Sequence, residues 1–205
     1  MKILHILYSG LGGTYNVVEN LVKIKHHNII NRILYIGPKL NKNLYIKKKN
    51  KKNYFFIKIK KYFGILYFFS ILKIIKKEKP QVLLLHNYQI IPCILAKLFF
   101  KIKFVYVDHQ PLTTKSIKDY FSLILSIPFA SHYVVLNKDN FKLINKFLIN
   151  KKKISIIKNG IKIKKKLNKK NFKYFNIGMS ARINDKKLHK LIIKAINKTT
   201  KKNRI

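Results

Sequence analysis

The stretch that decides the fold is residues 1–22, MKILHILYSGLGGTYNVVENLV. The short apolar run at residues 3–8 predicts a buried strand, and a helical pattern of apolar residues begins near Thr14. Between them lie three of the chain's seven glycines: Gly10, Gly12 and Gly13. A strand that runs through a glycine turn into a helix directs backbone N–H groups to a place where a phosphate can bind. A tight turn without a ligand fits these residues equally well, because a full G-x-G-x-x-G is absent.

Apolar runs and helical patterns alternate after this first unit. Further strands are predicted at residues 29–36, 54–59, 82–85, 104–107, 132–136 and 154–157. Helices are predicted at residues 62–75, 90–100, 115–126 and 139–149. Nearly continuous apolar strands that alternate with helices are typical of a parallel sheet with helices on both faces. The sequence therefore predicts an α/β fold, a Rossmann-like doubly wound parallel sheet.

A domain boundary is predicted after the turn signal Asn159-Gly160. Residues 162–171 are basic and poor in apolar side chains, which is typical of a linker. One more strand at residues 172–177 and one more helix at 187–197 follow before the sequence stops. We expect an amino-terminal domain at 1–161, a basic linker at 162–171, and the start of an incomplete second Rossmann-like domain at 172–205.

The composition of the chain is strongly basic. It has 205 residues, 48% of them hydrophobic, which suffices for the core of one α/β domain. Its 46 Lys and Arg residues outnumber 6 Asp and Glu, for a net charge of +40, which favours nucleic acid or an anionic membrane surface as partner. Only three of the basic residues are arginines, whereas surfaces that grip phosphates or bases use the arginine fork. We therefore expect no specific nucleic-acid partner and leave an anionic membrane open.

Cysteine content and hydropathy limit the remaining classes. The single cysteine, Cys93, excludes an internal disulfide and a cysteine-based zinc site, and we expect it to pack as a small apolar residue. No signal-peptide pattern follows Met1, and the apolar runs at residues 62–72 and 120–136 do not suit a transmembrane helix. A cytoplasmic protein is expected, at most peripheral on the inner face of the membrane.

Six stretches carry a resemblance to a known family. They are residues 1–22, LLLHN at 83–87, FVYVDHQ at 104–110, YVVLNKDNFKLINKF at 133–147, ISIIKNGI at 154–161 and IGMSARINDKKLHKLIIKAI at 177–196. In this order they are similar to the family-4 glycosyltransferases of the GT-B fold. The last stretch is the most specific, because it resembles the family's donor-phosphate motif. The chain departs from the family at Leu188, where glycine or aspartate is expected after the lysine, and at Asn137, where serine is frequent.

The resemblance implies a donor-phosphate site. Arg182 and Lys187 match the cationic pair that binds the donor's diphosphate, with Gly12 and Gly13 approaching it from the first domain. Cations stabilise the negative charge that builds on a departing nucleotide diphosphate. For Lys187 taken alone, a solvated surface lysine is the favoured interpretation.

The resemblance also implies a cleft at the ends of the strands. His109 matches a histidine that faces the crevice, and we assign it the catalytic role, with a structural histidine as the alternative. The expected acceptor or cleft residues are His86, Asn87, Asn159 and Gly160. The other histidines show no metal-ligand spacing, and Glu19 is expected at a helix surface or in an ion pair.

The implied reaction moves a hexose from a nucleotide-diphosphate sugar to a saccharide or lipid-linked acceptor. It retains the anomeric configuration, needs no metal or other cofactor, and belongs to cell-surface polysaccharide or lipopolysaccharide synthesis. The family's donor domain also carries a glutamate pair, E-x7-E, whereas no glutamate follows Glu78 here. We therefore expect a truncated form with little activity of its own. The alternatives are a non-catalytic acceptor- or membrane-binding remnant, half of a split enzyme, or, on charge alone, a nucleic-acid-binding protein.

Overall fold

The computed structural model describes most of the chain. The described residues are 1–8, 13–24, 26–37, 51–59, 65–86, 90–147, 153–160 and 189–202. The chain divides into two units, Met1–Lys162 and Ile163–Ile205. In the second unit the described element is a helix, α6, at His189–Lys202. The expected strand at residues 172–177 lies outside the described residues, and the expected domain and linker bounds stay predictions.

The first unit is built on a seven-stranded sheet in which every paired strand is parallel. The strands are β1 (Lys2–Tyr8), β2 (Ile30–Gly37), β3 (Tyr54–Lys58), β4 (Val82–Leu85), β5 (Lys103–Asp108), β6 (His132–Val135) and β7 (Ile154–Ile156). The helices are α1 (Gly13–Lys23), α2 (Ile65–Glu78), α3 (Ile90–Phe100), α4 (Ile117–Ser126) and α5 (Lys138–Phe147). The strand order is β3-β2-β1-β4-β5-β6-β7. The predicted α/β Rossmann-like parallel sheet is therefore confirmed.

The bounds of α2 differ from the prediction at its carboxyl end. The helix continues to Glu78, three residues past the predicted end at 75. Lys79 then has a left-handed φ of 48°, and Pro80 follows it. A residue with positive φ followed by proline is a common way to end a helix, because proline cannot continue it. The apolar pattern ends before this stop signal, which explains the difference.

The two faces of the sheet carry two cores of different size. The larger core lies on the face covered by α2 to α5, where residues such as Leu4, Leu83 and Phe104 are buried. Cys93 is fully buried within it, which confirms its predicted packing. The smaller core lies on the face covered by α1 and contains Leu7, Val18, Ile33 and Tyr35. Alternation along each strand therefore divides the side chains of β1, β4 and β5 between two different environments.

Among the described residues, no helix is both long enough and apolar enough to cross a membrane.

Candidate functional site

The carboxyl ends of β1, β4 and β5 lie side by side at one edge of the sheet, because these three strands are parallel neighbours. Gly13 opens the helix after β1, His86 follows β4 directly, and His109 follows β5 directly. Open α/β sheets bind their ligands at this edge. The structure thus gathers three of the predicted site residues where a ligand is expected.

Three histidines and one asparagine form a continuous line of hydrogen-bonding contacts at this edge. His86 Nδ1 lies 2.8 Å from His109 Nε2, and His86 Nε2 lies 3.1 Å from His5 Nδ1. His5 Nε2 in turn lies 3.2 Å from the amide oxygen Oδ1 of Asn31. We call these four residues the histidine chain. The predicted pair His86 and His109 is in direct contact, and His5 and Asn31 extend it along the sheet.

The strand register explains this line. The chain runs from Asn31 through His5 and His86 to His109, with one residue in or directly after each strand. Each residue lies two positions further toward the carboxyl edge than the residue that is paired, across the two strands, with the one before it. The paired residues are Ile3 with Asn31, Leu84 with His5, and Tyr106 with Leu85, the residue before His86. Neighbouring strands are about 4.8 Å apart and residues rise about 3.3 Å, so each diagonal step is about 8 Å between backbones, which facing imidazoles can bridge. All four side chains lie on the α1 face, since their strand neighbours fill the larger core.

Burial keeps the histidines of this chain neutral. His5 is 2% exposed and His86 is 5% exposed. Burial lowers the pKa of His5 to about 4, against a smaller opposing effect of the Asn31 hydrogen bond. It lowers the pKa of His86 well below its usual value, helped by the two neighbouring imidazoles. Burial also lowers the pKa of His109 to about 4, with Asp108 acting in the opposite direction. At neutral pH each ring therefore offers one N–H donor and one acceptor nitrogen.

A second polar network holds the segment that follows β5. Lys115 Nζ lies 2.5 Å from Asp108 Oδ1, and both side chains are 3% exposed. The backbone N–H of Gln110 donates to the same oxygen at 3.2 Å, and Asn140 Nδ2 donates to Oδ2 at 2.8 Å. We call Asp108, Gln110, Lys115 and Asn140 the Asp108 cluster. It ties the segment that carries His109 to α5 and so fixes where His109 lies.

The remaining predicted site residues are placed less tightly or not at all. Asn159 and Gly160 are exposed and follow the edge strand β7, two strands from β5. Gly13 is exposed, a Cβ there would meet no atom within 4 Å, and its φ is not left-handed, so neither space nor backbone geometry demands glycine. Four other predicted residues lie outside the described residues, and their roles stay predictions: Gly12, Asn87, Arg182 and Lys187.

Glu19 does not lie at the surface, and that expectation was wrong. Its side chain is buried, with 7% of the residue exposed, and it accepts a hydrogen bond from the hydroxyl of Tyr35. Burial and the bond to Glu19 raise the pKa of Tyr35. The helical pattern predicts that Val17 and Val18, and not Glu19, face the core. A carboxylate can be buried beside them because Tyr35 on β2 donates a hydrogen bond to it, which offsets the cost of removing it from water.

His5 and Asn31 belong to the histidine chain but were not predicted from the sequence as site residues. Each lies in a strand whose neighbours alternate between the two faces, so their shared face could be read from the pattern of β1 and β2. Their contact with His86 could not, because it depends on β4 pairing with β1 across a separation of 81 residues in the chain.

Asn137, one of the two departures from the family pattern, caps a helix. Its Oδ1 accepts a hydrogen bond from the backbone N–H of Asn140 at 2.8 Å, at the start of α5. Asparagine and serine are comparable helix N-caps, so this departure preserves the local hydrogen bond that serine would make.

Among the residues that the structure describes, no group of three or more His, Cys, Asp or Glu side chains is arranged to hold a metal ion. The histidine chain itself is unsuited to one, since its ring nitrogens face each other rather than a common point.

No protein-family model and no curated protein matches this sequence. Solved structures do share its fold. The lipopolysaccharide outer core galactosyltransferase WaaB has a TM-score of 0.61 at 16% identity, covering 80% of this chain and 47% of its own. Anabaena Alr3699/HepE in complex with UDP-glucose has a TM-score of 0.61 at 14% identity, covering 78% and 44%. UDP-GlcNAc 2-epimerase from Methanocaldococcus jannaschii has a TM-score of 0.58 at 18% identity, covering 78% and 46%.

This chain therefore spans less than half the length of each of these three structures. At such low identity the likeness concerns the fold: the described sheet is that of GT-B-type glycosyltransferases and epimerases.

Proposed function

We propose that this chain is the acceptor-side part of a glycosyltransferase that resembles family 4. The observation that supports this most is the neutral imidazole of His109, held at the carboxyl edge of a Rossmann-like sheet by contact with His86. A neutral ring in that place can exchange hydrogen bonds with a sugar hydroxyl. The fold likeness to a galactosyltransferase and to a UDP-glucose complex agrees with this proposal.

The proposed reaction moves a hexose from a nucleotide-diphosphate sugar to a saccharide or lipid-linked hydroxyl, with retention, in cell-surface polysaccharide or lipopolysaccharide assembly. The bond from the anomeric carbon to the diphosphate oxygen breaks, a bond from that carbon to the acceptor oxygen forms, and the proton of the acceptor hydroxyl passes to the leaving diphosphate. His109 contacts the sugars at the strand ends, His86 holds the ring of His109 in place, and Asn87, Asn159 and Gly160 line the acceptor side. Arg182, Lys187, Gly12 and Gly13 stabilise the charge on the leaving diphosphate. No metal or organic cofactor takes part.

The test measures nucleotide-diphosphate release. The 205-residue chain by itself should turn over nucleotide sugars poorly, whereas a fusion to a donor domain that carries the E-x7-E pair should turn over measurably. In that fusion, Arg182→Ala should cost about 2–4 kcal/mol in transition-state stabilisation, the scale of one lost electrostatic donor. His109→Ala should also reduce kcat/KM strongly, and His27→Ala, at an exposed position, is the matched control. Turnover by the chain alone that is independent of Arg182 would contradict the proposal.

An epimerase is the second candidate, because a UDP-GlcNAc 2-epimerase shares the fold almost as closely as the transferases. The two reactions differ in their need for an acceptor. An epimerase converts the nucleotide sugar itself, so product analysis without any acceptor separates them. If neither product forms in the fusion, the non-catalytic binding module becomes the better interpretation.

An anionic membrane is the proposed partner surface. On α4, Ile117, Phe121 and Ile124 are 88%, 66% and 52% exposed, and their spacing places them on one side of the helix. The neighbouring α3 exposes Leu98 and Phe99. An apolar stripe on a chain of net charge +40 suits insertion into the headgroup region of anionic lipid.

Vesicle co-sedimentation tests this partner. The chain should bind vesicles that contain phosphatidylglycerol, and salt should weaken the binding because the lysines act through screened charge. Phe121→Ser should reduce binding several-fold, whereas Phe147→Ser, at an exposed position on α5, should not. Equal binding by Phe121→Ser and the unmodified chain would show that α4 is not part of the membrane-binding surface. Tighter, sequence-selective binding to DNA would favour the nucleic-acid alternative.

A further inference from the structure

We propose that Asn31 sets the tautomer of His109 through the histidine chain, so that the Nδ1 atom of His109 is kept as a hydrogen-bond acceptor. Asn31, His5 and His86 are positioning residues in this proposal. Only its last step, the identity of the ligand, rests on the proposed function.

The order of donors follows from one fixed end. The amide oxygen of Asn31 can only accept, so the contact at 3.2 Å requires a hydrogen on His5 Nε2. A neutral His5 then has no hydrogen on Nδ1, and that atom must accept from His86 Nε2 at 3.1 Å. By the same reasoning, His86 Nδ1 accepts from His109 Nε2 at 2.8 Å. His109 is left with an unprotonated Nδ1.

This reasoning requires three neutral rings, and the burial of the chain supplies that condition. A protonated imidazole donates from both nitrogens, so a single charge would reverse one contact. Among the described residues, the groups that act on the titration of the chain are the three rings themselves, the Asn31 amide and, through its charge on His109, the Asp108 carboxylate on the other face. That carboxylate is already occupied by Lys115, Gln110 and Asn140.

The open end of the chain is the second observation. His109 Nδ1 is a buried atom without a hydrogen-bond partner among the described residues. Buried N–H groups are rarely left without a partner, and unsatisfied acceptors are tolerated better. An acceptor at this position agrees with the donor order derived from Asn31.

The ligand group that fits an acceptor nitrogen is a donor. In the proposed glycosyltransferase this is a sugar hydroxyl, which would donate a hydrogen bond to Nδ1 on binding. With the opposite tautomer, Nδ1 would carry the hydrogen and would favour a ligand oxygen that accepts a hydrogen bond. Through three successive contacts, Asn31 therefore determines whether His109 binds a hydrogen-bond donor or an acceptor of the ligand.

Long-range 1H–15N correlation spectra of the histidine rings test the proposal at about pH 7.5, above the ordinary pKa of histidine. His109 should show a single tautomer with hydrogen on Nε2, whereas the exposed His27 should show the mixture found in solution. Asn31→Leu removes the fixed acceptor and should lower the tautomer ratio of His109 about two- to tenfold, the effect of one hydrogen bond. Asn31→Gln keeps a neutral amide acceptor and should preserve the single tautomer.

Asn20→Leu, at an exposed position on α1, is the matched control and should leave the spectrum of His109 unchanged. If Asn31→Leu does not give a folded spectrum, His5→Phe interrupts the chain at the next contact and should have the same effect on His109. Hydrogen on Nδ1 of His109 in the unmodified chain would overturn the proposal. So would a tautomer ratio that a folded Asn31→Leu variant, or His5→Phe in its place, leaves unchanged.

The failure of the proposed function is distinguishable from this result. If the tautomer order is present but the donor-domain fusion transfers no sugar, the histidine chain stands and the glycosyltransferase assignment fails. If the fusion transfers sugar and His109→Ala leaves that transfer unchanged, only the assigned role of His109 fails.

Discussion

Asp108 and His109 are adjacent in the chain but enter two different polar networks. Asp108 faces the larger core, where its carboxylate meets Lys115, Asn140 and the backbone of Gln110. His109 faces the other side, where it ends the histidine chain. The Asp108 cluster is charged and both carboxylate oxygens have partners, while Asn140 Oδ1 has none in the described part of the chain. The histidine chain is neutral and ends in an acceptor atom without a partner in the described part of the chain.

The difference separates a charged network whose carboxylate oxygens all have partners from a neutral network whose last acceptor atom has none. A buried ion pair with satisfied oxygens has no capacity left for substrate, and removing one partner leaves a buried charge. Burying the neutral histidine chain costs less free energy than burying charged groups, and its last acceptor atom, His109 Nδ1, has no partner among the described residues. We therefore expect variants of the Asp108 cluster to affect mainly stability, and variants of the histidine chain to affect pH dependence and ligand contacts.

The largest effect is expected for Asp108→Ala. It leaves the ammonium group of Lys115 buried without its carboxylate, which typically costs about 3–5 kcal/mol in the free energy of unfolding. Urea denaturation measures this loss. The double variant Asp108→Ala, Lys115→Met should recover part of it, because no unpaired charge remains. A loss below about 1 kcal/mol would show that this pair does not hold the segment after β5.

An intermediate effect is expected from acid. The folded-state pKa of His5 is lowered to about 4, so the unfolded chain takes up this proton first as the pH falls. The contribution of His5 to stability is complete above about pH 6.5 and is lost progressively down to about pH 4. The loss is about 3 kcal/mol for a shift of this size. Because His109 is also lowered to about 4, it adds to the same window.

Urea midpoints across this pH range measure the acid effect. His5→Phe should flatten the dependence of stability on pH, because one proton no longer distinguishes the unfolded from the folded state. His27→Asn, at an exposed histidine, should leave the slope unchanged. Equal slopes for His5→Phe and the unmodified chain would show that His5 is not held neutral.

The smallest effect is expected for Gly13→Ala, which lies at the same edge but in neither network. A Cβ at position 13 would lie in open space, and the φ of Gly13 is not left-handed. Alanine therefore restricts the unfolded chain more than the folded one, and the free energy of unfolding should rise by up to about 1 kcal/mol. Thermal unfolding measures this change. If the backbone of Gly13 approaches the donor phosphates, the same variant in the donor-domain fusion should raise KM for the nucleotide sugar. A fall in stability would show that the turn needs glycine.

The sequence by itself determined the order and type of the elements in the first unit. Apolar runs bounded by turns placed the strands, and helical periodicity placed the helices, because both signals are local in the chain. Residues that follow strands, such as His86 and His109, could be assigned to one edge, since all strands of a parallel sheet end there. The end of α2 was misplaced because the stop signal at Lys79 and Pro80 lies beyond its apolar pattern.

Only the tertiary structure decided which polar groups meet. The contact of His5 with His86 depends on the pairing of β1 with β4, and the bond of Glu19 to Tyr35 depends on how α1 packs on β2. Asp108 finds Lys115 nearby but reaches Asn140 only through the packing of α5. Such partners are distant in sequence and leave no periodic signal. Local patterns therefore fix the elements, whereas burial and hydrogen bonding between elements decide which polar atoms at the sheet edge have a partner and which do not.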